Sequence, residues 1–197
     1  MAGLVPDSGQ IAGANMSATI SITQDDLTTA LRGFLMTLVK VNPDDIFVSQ
    51  GNDESMPIGD FITMTPMFIT GLSTNRVGYN DPGTGQGSEL TQRSNEWRCQ
   101  FDFYGNSAQE MAAIVGTMIR SEYAANWFKQ NNMPVTPLYA GEPHQTTMIN
   151  AEQQYESRWT LDFIAQFNAV IATPLDFMDS IQVGVVAADL KFPPENS

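Results

Sequence analysis

The sequence predicts an α+β fold: a single domain with a mainly antiparallel β-sheet, helices packed on it and a long glycine-rich hairpin loop. Helical periodicity and strand-like alternation occur in separate segments, and the clearest strand candidates are rich in aromatic residues. A chain of 197 residues with 42% apolar content is also long enough to bury one core. One domain is therefore expected.

The first expected element is a helix that begins at Thr23. Thr23 is a suitable N-cap, and Asp25 and Asp26 are favoured by the helix dipole. The helix should end near Asn42-Pro43. The apolar residues at the spacing of one helical face are Leu27, Leu31, Phe34, Leu35 and Leu38.

Two strands are expected next. Ile46 to Gln50 is a short strand candidate, and a second strand follows the polar loop GNDESMPIGD, in FITMTPMFITGL. Pro66 lies inside this second strand and cannot donate a ladder hydrogen bond. An edge position or a bulge would accommodate this proline, and of the two we expect an edge strand.

Residues 73–92 contain four glycines and a proline, which favours a long flexible hairpin loop. The run Gly83-Thr84-Gly85-Gln86-Gly87 lacks the Gly-Lys-Ser/Thr ending of a phosphate-binding loop, and no helix pattern follows it. The glycines therefore do not indicate a nucleotide site. Loops of this length tend to be disordered or functional, so ordering on assembly is one expectation for this segment.

The clearest strand is WRCQFDFY. Its aromatic residues and Cys99 alternate with polar residues, so Cys99 should point into the core and serve packing rather than catalysis. Gly105-Asn106 should turn the chain, and Ser107 with Glu110 has the spacing of a capping box. The helix that this box predicts has the apolar stripe Met111, Ile114, Val115, Met118 and Ile119.

A partner strand is expected in EQQYESRWTLDFIAQFN, after the extended segment PVTPLYAG. If the two aromatic strands pair antiparallel, one register brings opposite charges and large apolar residues together. The expected cross-strand pairs in that register are Arg98 with Asp162, Asp102 with Arg158, Trp97 with Phe163 and Phe101 with Trp159.

Composition and motifs argue against several function classes. Nine Lys and Arg stand against 22 Asp and Glu, and a net charge of −13 disfavours binding to nucleic-acid phosphates. The N-terminal stretch lacks the pattern of a signal peptide, and no segment reaches the roughly 18 apolar residues of a membrane span. The lone His144, in the loop GEPHQTT, has no nearby partner for a familiar metal or hydrolase motif. We expect neither a cofactor nor an enzyme.

Five segments together resemble the neck or tail-terminator proteins of long-tailed bacteriophages and prophages. The resemblance spans roughly residues 24 to 185 and rests on the order and type of the segments. The segments are DFITMTPMFITGLSTN, QRSNEWRCQFDFYGNSA, IRSEYAANWF, PLYAGEPHQTTMINAEQQYESRWTLDFIAQFN and VIATPLDFMDSI.

The resemblance implies a structural virion protein, made in the host cytoplasm, that forms a ring, typically a hexamer, at the head-proximal end of the tail tube. Its implied partners are other copies of itself, the tail tube protein and the head connector, while DNA passes through the ring without specific binding. A head-completion connector, a tail tube subunit and, with least support, a small hydrolytic enzyme remain as alternatives.

A ring requires interfaces between two different patches of each subunit. We expect a flexible N-terminal arm over residues 1–22, a terminator-like domain over residues 23–190 and a C-terminal tail over residues 191–197. The interface candidates are segments whose groups cannot all find partners within one monomer. These are the arm and the loops at 73–92 and GEPHQTTMIN. The candidate interaction residues are Arg76, Asp81, Gln86, Arg93, Glu142 and His144.

Overall fold

The computed structural model describes residues 17–49, 57–149 and 155–175. Within these ranges a single sheet of eight strands packs against three helices, which confirms the α+β class. None of these helices is long and apolar enough to cross a membrane. The helices are α1 (Gln24–Leu38), α2 (Ala108–Ile119) and α3 (Glu122–Gln130). The strands are β1 (Thr19–Ile20), β2 (Ile46–Val48), β3 (Phe61–Gly71), β4 (Arg76–Asn80), β5 (Gly87–Tyr104), β6 (Thr136–Ala140), β7 (His144–Ile149) and β8 (Tyr155–Leu175).

The centre of the sheet is a long antiparallel ribbon of β5 and β8. The two strands pair without a register shift from Gly87 opposite Leu175 to Tyr104 opposite Arg158. Strands β3 and β4 flank β5, while β1, β6 and β7 flank β8. Only the pairing of β2 with β3 is parallel among the described strands, so the sheet is mainly antiparallel.

The expected antiparallel pairing of the two aromatic strands is confirmed, but the expected register is wrong by two residues. Asp102 lies opposite Thr160 instead of Arg158, and Arg98 lies opposite Ile164 instead of Asp162. Likewise, Trp97 faces Ala165, and Phe101 faces Leu161. Alternation with a period of two determines which face a residue occupies, and a slip of two residues keeps every side chain on its face.

The core lies between the helices and one face of the ribbon. Cys99 is fully buried among the aromatic residues of β5, as its alternation predicts, and burial raises the pKa of its thiol. From the helix layer, Phe34 of α1 packs against Trp127 and Phe128 of α3, with ring centroids 5.4 and 5.0 Å apart. These contacts join α1 and α3 above the sheet.

Helix α1 begins as expected. Thr23 is its N-cap, and the Thr23 hydroxyl accepts a hydrogen bond from the Asp26 N–H at 3.2 Å. In return the Asp26 carboxylate accepts from the Thr23 N–H at 2.8 Å, and this bond is the main reason that the pKa of Asp26 is lowered. The helix ends at Leu38, four residues before the expected Asn42.

The expected capping box at the start of α2 does not form. The Ser107 side chain makes no capping hydrogen bond, and Asp60 instead accepts a hydrogen bond from the Ser107 N–H at 3.1 Å. Hydrogen bonds from the Ser107 side chain and backbone hold the pKa of Asp60 below its ordinary value. The expected apolar stripe is also interrupted, because Ile114 is 44% exposed.

Strand β3 carries a bulge at its proline, with a register shift between Pro66 and Phe68. The expected edge position is only partly right, because β2 covers β3 at Ile62–Met64. The loop expected over residues 73–92 is too long, since residues 76–80 and 87–92 are paired strands and only residues 81–86 connect them. The neighbouring ribbon supplies pairing partners that override the local glycine content.

The expected terminal segments lie mostly outside the described residues. The described part of the N-terminal segment starts at residue 17, and Thr19 and Ile20 pair with Ala172 and Ile171. The expected tail at residues 191–197 and most of the loop GNDESMPIGD lie outside the described ranges.

Candidate functional site

Among the described strands, one margin of the sheet is unpaired over a long stretch. Strands β3 and β4 are both antiparallel to β5 and follow the same side of it, one after the other. At the break between them, Leu72 N–H donates to the Ser94 carbonyl at 2.9 Å, and Ser94 N–H donates to Ser73 Oγ at 3.3 Å. In the described part of the chain, no strand pairs with the outer side of residues 65–80. We call residues 65–80 the open edge.

The open edge exposes large apolar side chains. Natural edge strands usually carry charges or proline, and contiguous exposed apolar groups typically mark an interaction surface. By register, Val77 and Tyr79 lie on the face that carries the helices, yet they are 54% and 64% exposed. The exposed apolar residues of the open edge are Met67, Phe68, Ile69, Leu72, Val77 and Tyr79.

Three arginines accompany the open edge: Arg76, Arg93 and Arg98. Among the described residues, none of them forms a salt bridge. The Arg98 guanidinium lies over the Phe68 ring at 4.8 Å. The Arg93 guanidinium occupies the space above Gly71, where an added Cβ would overlap Nη2. Gly71 thus allows Arg93 to lie flat against the open edge.

Charge is distributed unevenly along the chain. Residues 61–104 contain three of the nine Lys and Arg but only four of the 22 Asp and Glu. The remaining residues carry six Lys and Arg against 18 Asp and Glu. The open edge and the strand behind it are therefore nearly neutral, on a protein that is strongly acidic elsewhere.

Asp81 and Gln86 are the first and last residues of the short connection between β4 and β5. The Asp81 carboxylate accepts a hydrogen bond from the Gly83 N–H at 2.8 Å, and Gly83 and Gly85 adopt positive φ. Both Asp81 and Gln86 are exposed. Together with Arg76 and Arg93 they lie towards the β4–β5 end of the sheet.

Glu142 and His144 lie on the other side of the ribbon. His144 is the first residue of β7, so the expected loop GEPHQTTMIN is a three-residue connection followed by a strand. Glu142 is exposed and forms a salt bridge with Arg120 at 2.8 Å. His144 is also exposed, and its Nδ1 lies 3.2 Å from the Glu142 carbonyl oxygen.

The structure does not bring the six candidate interaction residues into one site. Arg76 lies opposite Gln92 of β5, whereas His144 lies opposite Thr160, which in turn faces Asp102 of β5. Asp102 is ten residues further along β5 than Gln92, about 33 Å at the usual rise per residue. The candidates therefore form two groups, one beside β5 and one beside β8.

A buried polar chain connects β8, β7 and β5. Arg158 Nε donates a hydrogen bond to the Thr146 hydroxyl at 2.7 Å. The same Thr146 hydroxyl lies 3.0 Å from the Thr160 hydroxyl. Thr160 donates to Asp102 at 2.6 Å, and Asp102 is only 5% exposed. Arg158 Nε also lies 3.9 Å from the Asp102 carboxylate. This arrangement satisfies a buried carboxylate and fixes the ribbon against β7.

Metal-ligating and nucleophilic side chains are the remaining candidates among the described residues. No three His, Cys, Asp or Glu side chains within them are placed to hold a metal ion. The buried Cys99 is remote from solvent, and its thiol pKa is raised. The notable surface is therefore the open edge.

Arg76 and Arg93, which were predicted from the sequence as interaction residues, lie within and beside the open edge, but its apolar part was not predicted. In a strand with one buried face, apolar and polar residues alternate. The run Met67, Phe68 and Ile69 after Pro66 breaks that alternation and places apolar side chains on both faces. This signal was present in the sequence and indicates a strand with apolar side chains outside its own core.

Comparison with known proteins supports a structural role. No curated protein matches the chain. The chain does match the family of phage neck terminator proteins over residues 25–189, which is most of its length. This match implies a structural role in the neck of the virion tail, in association with other tail or head components. The chain therefore belongs to the phage neck terminator family.

Proposed function

We propose that the chain forms a closed ring, typically a hexamer, at the head-proximal end of the phage tail tube. The ring ends tube polymerisation and joins the tail to the head connector. The observation that supports this most directly is the open edge of a member of the neck terminator family. Exposed apolar side chains occur there together with arginines that form no salt bridge among the described residues. Such a surface favours burial against another protein.

A closed ring needs two different patches on each subunit. The two groups of candidate residues are consistent with this requirement. Arg76, Asp81, Gln86 and Arg93 lie beside β5, while Glu142 and His144 lie beside β8. We propose that these six residues contribute to contacts between neighbouring copies or with the tube and connector. Because Glu142 already pairs with Arg120, we expect Arg76 and Arg93 to contribute more.

The domain organisation that we propose has an arm over residues 1–22, a domain over residues 23–190 and a tail over residues 191–197. The pairing of β1 gives the direction in which the described start of the chain leaves the sheet. Because Thr19 and Ile20 pair antiparallel with Ala172 and Ile171, the chain before Thr19 leaves the sheet at the end where β8 finishes and β4 turns into β5.

The acidic composition suits a conduit for DNA. Six copies with a formal charge of −13 each would carry −78, which repels DNA phosphates. DNA can then pass through the ring without specific binding, because specific binding depends on cationic contacts to phosphates.

The proposal is tested by measuring the mass of the purified protein by light scattering at several concentrations, with and without assembled tail tubes. Electron microscopy of the large species follows. We expect closed rings that cap one end of each tube. Open polymers formed by the protein alone would indicate a tube subunit, and a monomer that ignores tubes at all concentrations would overturn the proposal.

The role of the arginines is tested with the double variant Arg76→Glu, Arg93→Glu. We expect it to weaken ring formation or tube binding at least tenfold. The matched control is Lys40→Glu, Lys129→Glu, which makes the same change of net charge at two exposed lysines elsewhere. Equal behaviour of the two double variants would count against a specific role for Arg76 and Arg93.

A further inference from the structure

We call the outer side of β1 (Thr19–Ile20) the β1 margin. We infer that the open edge of one copy pairs with the β1 margin of a second copy, so that the sheets of neighbouring subunits join through antiparallel strands. This inference rests on the proposed ring and names the surfaces that would close it. The occupant of the open edge is thus another copy of this chain.

The regular part of the open edge is β4. Strand β3 is interrupted by Pro66, which has no N–H, and by the adjacent bulge, whereas β4 pairs with β5 without a register shift. An edge strand presents alternate N–H and C=O groups that another strand can pair with. Strand addition is therefore best supported along Arg76–Asn80.

Strand β1 forms the opposite margin at the same level of the sheet. Ile20 lies opposite Ile171, Ile171 opposite Thr91, and Thr91 opposite Val77. One row across the ribbon thus begins at Ile20 and ends at Val77. In the described residues, both ends of this row face no further strand.

The two ends of that row have matching chemistry. Ile20 is 53% exposed and Val77 is 54% exposed, and Ile171 beside Ile20 is 42% exposed. Residues that oppose each other in this row share one face of the sheet. When two copies lie side by side at the same level, Val77 of one therefore meets Ile20 of the next, and both apolar side chains leave water.

Strand direction is also compatible with this junction. Strand β4 runs antiparallel to β5, so it shares the direction of β8, and β1 runs opposite to β8. A rotation about an axis along the strands preserves these directions. Strand β4 of one copy and β1 of the next are then antiparallel, the pairing that dominates within the subunit.

Charge complements the same pair of surfaces. Arg76 and Arg93 accompany the open edge without a salt bridge among the described residues. The β1 margin leads directly into α1, whose first turn carries the exposed Asp25. Residues 65–80 of the open edge carry Arg76 and no acidic residue. Contact with the acidic margin therefore favours the head-to-tail junction over contact between two open edges, which would bring two Arg76 side chains together.

Disulfide trapping tests the junction. The double variant Ile20→Cys, Val77→Cys places both thiols at exposed positions, so folding should be retained, and the buried Cys99 should stay unreactive. Opposed residues of antiparallel strands have the Cα spacing that a disulfide needs. Under mild oxidation we expect a ladder of covalent oligomers up to the ring size. The control pair is Met36→Cys, Val77→Cys, in which the first thiol lies on exposed α1 surface, and it should give no ladder.

The outcomes separate the junction from the ring itself. If wild-type protein forms rings but the Ile20, Val77 variant folds and gives no ladder, the junction is wrong and the proposed function stands. Dimers from Val77→Cys alone would show that two open edges meet, which also overturns the junction. If the wild-type protein never forms a ring, with or without tubes, both proposals fail.

A charge substitution gives a second readout. Val77→Glu should weaken ring formation at least tenfold, because the carboxylate would have to be buried against Ile20 of the neighbour. Met36→Glu is the control, since Met36 is 44% exposed on α1, away from the junction. Equal ring stability in both variants would contradict the inference.

Discussion

Asp60 accepts a hydrogen bond from the Ser107 N–H at 3.1 Å, although 47 residues separate them in sequence. The carboxylate at the start of β3 therefore caps α2 from outside the helix. The sequence around Ser107 contains a good capping motif of its own, which the structure leaves unused. The start of α2 is thus fixed to the sheet rather than to its own first turn.

Removing this external cap should destabilise the protein. We expect Asp60→Ala to lower the free energy of unfolding by about 1 kcal/mol, the usual value of a helix cap, and Asp60→Asn to lower it less, because an amide oxygen can still accept the bond. Urea denaturation at neutral pH measures both. Equal losses in the two variants would contradict a hydrogen-bonding role.

The same cap should depend on pH. Hydrogen bonds from Ser107 lower the folded-state pKa of Asp60 below its ordinary value of 3.8. The stabilisation is therefore complete above that value and is lost as the pH falls through the lowered pKa. The difference in unfolding free energy between wild type and Asp60→Ala should shrink as the pH falls below 3.8 and through the lowered pKa. A difference that grows on acidification would contradict this assignment.

Gly105 should tolerate substitution much less than Gly83. Both glycines have positive φ, so alanine is strained at either position, by about 1 kcal/mol. At Gly105 the new Cβ would also lie 2.8 Å from the Gly59 carbonyl oxygen and the Asp60 Cα, whereas nothing lies within 4 Å at Gly83. Thermal unfolding should therefore show a clearly larger loss for Gly105→Ala. Equal losses of thermal stability in the two variants would mean that backbone strain alone, and not the close contacts at Gly105, causes the destabilisation.

The buried hydroxyl of Thr160 should matter more than an exposed one nearby. Thr160→Val removes the 2.6 Å hydrogen bond to the buried Asp102, which should cost about 1 to 3 kcal/mol. Thr147→Val, on the exposed side of β7, is the control and should change stability little. Chemical denaturation measures the unfolding free energy of both variants. Similar unfolding free energies would show that the hydrogen bond from Thr160 to Asp102 does not stabilise the protein.

Cys99 should resist thiol reagents in the native protein. The side chain is fully buried, and burial raises the pKa of the thiol, so little thiolate is present or accessible. Reaction with a chromogenic disulfide should follow the unfolding curve in urea and yield one thiol per chain. Rapid stoichiometric reaction without denaturant would show that the core opens at this point.

Local patterns predicted much of the fold because they act within a few residues. The Thr23 cap and the inward Cys99 each follow from a short stretch of sequence, and the structure confirms both. The β5–β8 register was missed because alternation does not distinguish slips of two residues. The Asp60 cap was missed because the two partners are distant in sequence.

The candidate site was predictable in part for a similar reason. Arg76 and Arg93 stand out in an acidic chain, so composition alone draws attention to them. The exposure of Phe68, Val77 and Tyr79 depends on where β2 stops and how far the ribbon extends, which only the tertiary pairing shows. The six candidates remain predictions until the interface is measured.

The position of β8 at the end of the described chain has a consequence for synthesis. This strand pairs with β1, β5, β6 and β7, so four strands lack their partner until residues 155–175 have been made. Contacts between positions so far apart in sequence form slowly and late. A chain that stops before residue 155 therefore has neither the paired β1 nor the ribbon on which the proposed ring depends. We therefore expect products that lack this strand to be excluded from the ring that we propose.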